Sequence, residues 1–271
     1  MNWRQITPTI VTLLAMLAGF LSILVTIEGM QSGKAGLYCL SSQLIMLAMI
    51  LDGLDGNLAR WLNASSDFGA ELDTYVDLTA FGIAPAVLIF AVTLQATEAV
   101  WRVLLPSAVA LSGVVRLARF KVKDPYRGQA GYAGLPITAN AAWVALFVFL
   151  SQTSGTQSPL TAYLSLDQGW FAAIFLVGIF VFISLQVSSL RYPKPTKKTF
   201  IFIPCIILVA LLWLLDQQIS AHVALVMLFL GLIYVLVGPL FVKGLEVHKA
   251  KLQAQASCAG LDAASEPCET R

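Results

Sequence analysis

The chain has 271 residues, 58% of them hydrophobic and 12% charged, with a mean hydropathy of +0.79. A soluble domain carries about a quarter charged residues, so a water-soluble fold is excluded. A net charge of +2 offers no basis for nucleic-acid binding.

Apolar runs follow one another along the sequence, at roughly 10–27, 35–51, 71–94, 100–117, 134–151, 170–188, 200–216 and 221–242. Each approaches the ~20 residues needed to cross a hydrocarbon core. Strict alternation is missing and the runs are too long for strands. The fold class is therefore all-α: a polytopic transmembrane bundle of about eight helices. Residues 1–243 form the membrane domain, and 244–271 read as a disordered cytoplasmic tail, polar and rich in small residues.

At the N-terminus, Thr7-Pro8 reads as a helix start, with Trp3 as an interfacial anchor. No cleavable signal peptide is evident. With the N-terminus in the cytoplasm, only Lys34 and Arg102 of the 17 Lys and Arg fall on the outer side. This positive-inside asymmetry predicts an inner-membrane protein with both termini in the cytoplasm. The four cysteines, Cys39, Cys205, Cys258 and Cys268, have no metal-ligand spacing. His222 and His248 lie at a span end and at the start of the tail.

The chemistry concentrates in "LDGLDGNLARWLNASSDFGAELDTYVDLTAFG", residues 51–82. Asp52, Asp55, Gly56 and Ala59 follow spacings of three and four, so they share one helix face. Gly69, Asp73 and Asp77, spaced by four, share a face of the next helix. The polar stretch between predicts a cytoplasmic turn, which brings the four carboxylates together. Four anions in one pocket repel unless cations neutralise them. All-oxygen ligands select hard metals such as Mg²⁺, Mn²⁺ or Ca²⁺. The small residues beside them leave room for a polyphosphate, whose displacement two metals can clamp. The competing reading is a set of solvated carboxylates at a helix end, yet intramembrane acids are functional by default.

The spacing D52-x2-D55-G56-x2-A59-R60-x8-G69-x3-D73-x3-D77 resembles, without gap or substitution, the signature of the CDP-alcohol phosphatidyltransferase family. The resemblance implies a cytidine-diphosphate-activated lipid donor, two divalent cations and an alcohol acceptor. It implies Asp52, Asp55 and Asp73 as metal ligands, with Asp77 shared between metal binding and general base. It sets Gly56, Ala59 and Gly69 against the cytidine nucleotide and makes Arg60 a partner for a phosphate or a motif acid. It also suggests a homodimer.

"PTIVTLLAMLAGFLSI", "RLARF", "YAGLP" and "VSSLRYP" resemble the bacterial membrane-integrated phosphatidylserine synthases, with CDP-diacylglycerol as donor and L-serine as acceptor. That branch usually has Asn at the positions of Thr9, Ala15 and Lys121, and Pro at that of Thr138. Glycerol 3-phosphate, inositol and choline are the alternative acceptors. Serine carries a carboxylate, and Arg116, Arg119 and Arg191 end their spans on the same side as the aspartates. A guanidinium grips a carboxylate or phosphate with two bonds. These arginines are thus candidates for acceptor or phosphate binding, against the reading that they fix topology or bind lipid headgroups. Lys194, Lys197 and Lys198 read as a solvated loop facing anionic lipid. Asn140 reads as a polar pocket residue.

Two other classes fit less well. Intramembrane prenyltransferases resemble one another in having two Asp-rich motifs far apart, whereas here both pairs fall within residues 52–77. A cation transporter calls for partner acids in the later spans, which have almost none.

Overall fold

A computed structural model describes residues 3–92, 99–122, 132–153, 166, 169–193 and 199–264. Lys123, Arg127, Lys194, Lys197, Lys198, Cys268 and Arg271 lie outside the described residues. The described chain forms a helical bundle: α1 (Trp3–Ser32), α2 (Ala35–Trp61), α3 (Asp67–Val92), α4 (Ala99–Val122), α5 (Ile137–Thr153), α6 (Trp170–Val187), α7 (Thr199–Leu214) and α8 (Gln217–Ala264). Each apolar run of the sequence maps onto one of them. Six are long and apolar enough to cross a membrane, while α5 and the apolar part of α7 are shorter. This is a multi-pass membrane protein.

Two expectations are corrected at the chain ends. α1 begins by Trp3, and Pro8 lies inside it rather than at its first position. Pro8 is the sixth residue of α1, past the four amides that lack an internal acceptor, so its missing N–H leaves the carbonyl of Arg4, in the first turn, without its usual helical donor. At the other end, α8 continues to Ala264, through most of the segment expected to be disordered. Ala, Leu, Gln and Lys dominate its sequence there, and all four favour helix.

Local chemistry explains the breaks. α1 ends where Gly33 takes a left-handed φ of 67° and donates its N–H to Gly29 O at 2.9 Å, a common helix stop. α1 and α2 then pack as an antiparallel pair, joined by buried hydroxyls: Ser22 Oγ is 2.8 Å from Ser41 Oγ, and Thr26 Oγ1 is 2.6 Å from it. Such hydroxyls hold helices together where no hydrophobic force does. The central helix is α5, which touches α2, α3, α6 and α8. Its Trp143 stacks on Phe182 of α6 and its Phe147 on Phe171.

α3 is not uniform. Between Asp67–Val76 and Ala84–Val92 its residues Asp77–Ile83 form a π-helical segment. Such segments are rare and gather at functional sites. Against this one lies α1, at Gly19.

Candidate active site

The turn between α2 and α3 is short and fully capped. Ala64 N donates to Ala59 O at 2.9 Å, and Asn63 takes a left-handed φ of 49°, a conformation Asn tolerates better than most residues. Ser66 is the N-cap of α3, its Oγ accepting from Gly69 N at 3.1 Å. This turn folds the two aspartate pairs onto each other. Asp52, Asp55 and Asp73 each present a carboxylate oxygen, and these oxygens lie within 4.8 Å of one another. Asp52 is in electrostatic contact with Asp55, Asp73 and Asp77, so the fourth carboxylate belongs to the same cluster.

The chemistry of this donor set fits a divalent cation. Asp52 Oδ1 and Asp55 Oδ2 are buried with no hydrogen-bond partner, and a buried anionic oxygen without a partner is costly. The Asp52 and Asp73 carboxyls come within hydrogen-bonding reach of each other, which two carboxylates do only with a proton or cation between them. The acids are the ligands a hard cation requires.

Two neighbours bound the cluster. Thr12 on α1 reaches the Asp55 carboxylate while its own Oγ1 bonds Pro8 O at 3.0 Å. Arg116, a buried residue of α4, lies close enough to Asp77 for its charge to act on that carboxyl. Thr12 was not among the candidate residues of the sequence. It stands within the "PTIVT" stretch, but its contact with Asp55 joins two helices and leaves no trace in spacing.

The glycines differ in what their surroundings ask of them. A Cβ at Gly69 would sit 3.2 Å from Ser66 Oγ, so the N-cap crowds that site. A Cβ at Gly56 would meet nothing within 4 Å. A glycine inside a helix costs about 0.5–1 kcal/mol relative to alanine, and packing gives no reason for this one. The open face beside Asp55 is where an incoming molecule would come close to the backbone.

Residues 5–183 match the family described as CDP-alcohol phosphatidyltransferase. The chain belongs to that family. Among its relatives is the CDP-diacylglycerol–serine O-phosphatidyltransferase of Methanocaldococcus jannaschii, 33% identical over 193 residues, or 71% of this chain and 76% of the relative. The protein of the same name from Mycobacterium leprae is 32% identical over 200 residues, covering 72% of this chain and 60% of that one. That of Saccharomyces cerevisiae is 38% identical over 141 residues, covering 49% and 50%. The matched stretch thus spans three quarters of the archaeal relative but only half of the yeast one.

In this transferase the arginines separate. Arg60 is exposed and its Nη2 donates to Asn57 Oδ1 at 2.8 Å, so it braces its own helix rather than an aspartate. Arg119 Nη1 donates to Val187 O at 2.6 Å and Ser188 O at 3.1 Å. It serves the exposed carbonyls at the end of α6, where a cation is favoured. Arg116 lies close enough to Asp77 for its charge to act on that carboxyl.

Arg191 sits on a two-stranded ribbon that the sequence does not announce. β1 (Tyr132–Ala133) pairs antiparallel with β2 (Arg191–Tyr192), with Ala133 opposite Arg191. The "YAGLP" and "VSSLRYP" stretches are therefore one unit. Gly134, at φ 77°, makes the turn into α5, and a Cβ there would clash with Gln186 O. Leu135 N donates to Leu185 O at 3.0 Å. Burial pushes the Tyr192 phenol above its usual range, so that ring is a neutral wedge. α8 closes over it, with Tyr234 Oη donating to Pro193 O at 3.1 Å. Lys121 and Glu71 form an ion pair that ties α4 to the start of α3.

Proposed function

We propose that this transferase is a phosphatidylserine synthase: it moves the phosphatidyl group of CDP-diacylglycerol to the hydroxyl of L-serine and releases CMP. The observation that carries the reading is the four-carboxylate cluster beside the open face of Gly56, with its two orphaned inner oxygens. Serine as acceptor draws on the names of the relatives, each a CDP-diacylglycerol–serine O-phosphatidyltransferase.

Asp52, Asp55 and Asp73 hold the divalent cations, two of Mg²⁺ or Mn²⁺, with Ca²⁺ a third candidate, and Asp77 shares in that binding. Bound there, the cations supply neutralising charge to the donor diphosphate. Gly56, Ala59 and Gly69 leave the space for the cytidine nucleotide, with Arg60 at its rim. Asp77 accepts the proton of the serine hydroxyl. The hydroxyl oxygen forms a bond to the phosphorus bearing diacylglycerol, the bond from that phosphorus to the CMP oxygen breaks, and CMP departs with the electron pair. Arg116 faces Asp77 and takes the serine carboxylate. Positioning and electrostatics carry most of such a transfer.

The acyl tails need apolar surface next to these groups. A lateral groove between α3 and α4, lined by Ile83, Val87, Phe90, Val103 and Pro106, offers it on the two helices that carry Asp77 and Arg116. The distribution of Lys and Arg supports an inner-membrane orientation with both termini and the aspartates facing the cytoplasm. Residues 1–243 are the working unit, which acts as a homodimer, and 244–271 extend from it into the cytoplasm.

The test is a panel of acceptors given to purified protein with CDP-diacylglycerol and Mn²⁺ or Mg²⁺, scored by lipid product and CMP. Phosphatidylserine is the expected product. Product from glycerol 3-phosphate, inositol or choline in its absence would overturn the serine assignment while leaving the reaction class intact.

A further inference from the structure

A second buried polar contact lies one helical turn from Arg116. Ser112 stands four residues before Arg116, on the same face of α4. Its Oγ is 2.7 Å from Oε1 of Gln186 near the end of α6, and 2.8 Å from Val109 O. Gln186 is 1% exposed, and its Nε2 has no hydrogen-bond partner.

The side chain is tightly framed. Ser112 holds one end of the amide. Gly134 packs on the Gln186 carbonyl, and Arg119 bonds the carbonyl of the next residue, Val187. Buried amide donors are almost always paired, and an apolar residue of the same length would fill this place without leaving a donor over. Through Ser112 the amide is anchored to the face of α4 that carries Arg116 one turn further on, and the charge of Arg116 acts on Asp77. Two such donors suit an anionic group with several lone pairs, and a carboxylate accepts up to about four bonds.

We propose that Gln186 is an acceptor-specificity residue, its Nε2 donating to the carboxylate of an amino-acid acceptor that Arg116 also holds. The inference rests on the reading that the acceptor is serine. It adds a residue from α6, beyond the aspartate signature, that reads the feature separating serine from a plain amino alcohol.

The experiment is a serine titration of Gln186→Met at saturating CDP-diacylglycerol, with ethanolamine, which is serine without its carboxylate, run in parallel. The serine KM is expected to rise roughly tenfold or more, the worth of one bond to a charged group. The kcat and the donor KM stay within about threefold, and any ethanolamine turnover is unchanged. Ser112→Ala, which releases the anchored end of the amide, raises the serine KM by a smaller factor. A parental serine KM in folded Gln186→Met overturns the proposal, as does an equal loss with ethanolamine. If Gln186→Met does not fold, Gln186→Asn is read by the same criteria, and failure of both to fold makes the residue structural and overturns it. If the parent itself makes no phosphatidylserine, the reading of the function falls and this inference with it. If the parent does and the variants match it, only this inference falls.

Discussion

Gly19 of α1 and Ala80 in the π segment of α3 are in backbone contact: a Cβ added to Gly19 would lie 2.6 Å from Ala80 Cα. α1 is thereby seated against the stretch of α3 that begins with Asp77. Gly19→Val should force the two helices apart at a cost of about 1–3 kcal/mol, the usual range for overpacking. The expected result is a lower melting temperature together with reduced turnover. A variant that melts with the parent would show that α1 can shift freely here.

Gly56→Ala should behave in the opposite way. The protein leaves space for the added methyl, and helix propensity favours alanine, so the melting temperature should hold or rise. Donor binding should weaken, because the methyl would occupy the face proposed for the nucleotide. Titration of CDP-diacylglycerol beside a thermal melt separates the two effects. An unchanged donor KM would move the nucleotide away from Gly56.

The aspartates should divide by role. Asp52→Asn, Asp55→Asn and Asp73→Asn each remove a ligand charge, so the Mn²⁺ or Mg²⁺ concentration for half-maximal activity should rise strongly. Chelation of the parent should abolish turnover, and added cation should restore it. Asp77→Asn nearly preserves volume while removing the base, and should lower kcat by about 10²–10⁴-fold with donor binding retained. Turnover within tenfold of the parent would remove Asp77 from that role.

The arginines yield the sharpest contrast. Arg116→Ala should raise the serine KM by roughly 10–150-fold, given ~1.5–3 kcal/mol for a charge-assisted bond, and lysine should rescue it only in part. Arg119→Ala strips two carbonyls at the end of α6 of their donor. It should appear chiefly as a loss of about 1–3 kcal/mol in stability. A serine titration and a melt on both variants decide the assignment, and a large serine KM effect confined to Arg119→Ala would reverse it.

The helices were legible in the sequence because a membrane demands long apolar runs, and each run of the 271 residues became one helix. The aspartate cluster was legible because its members stand at spacings of three and four on two helices joined by one short turn. What spacing does not encode stayed hidden. The approach of Thr12 to Asp55 and the action of the Arg116 charge on Asp77 depend on how separate helices dock. The pairing of Ala133 with Arg191 is made by backbone atoms, which any side chains would allow. Arg119 reads in the sequence as a candidate for acceptor or phosphate binding, and its bonds to Val187 O and Ser188 O stayed hidden because charge at a helix end suits a ligand and a neighbouring helix C-terminus alike. In α8, the polar composition past Gly244 concealed a helix-favouring content.

The π segment Asp77–Ile83 means that α3 carries one residue more than a regular helix would need over the same path. A regular helix turns each residue by about 100° from the last, at 3.6 residues per turn. The wider π turn takes up the surplus residue, so the half of α3 bearing Asp73 and the half bearing Ala84–Val92 keep the angular relation that a regular helix would give them. Removing one residue from Leu78–Ala80 would let the helix close into regular winding over the same path, with the aspartates left in place but the bulged backbone that meets Gly19 lost. A further inserted residue that the helix could not bulge out would instead swing the aspartates by about 100° relative to the lipid-buried half.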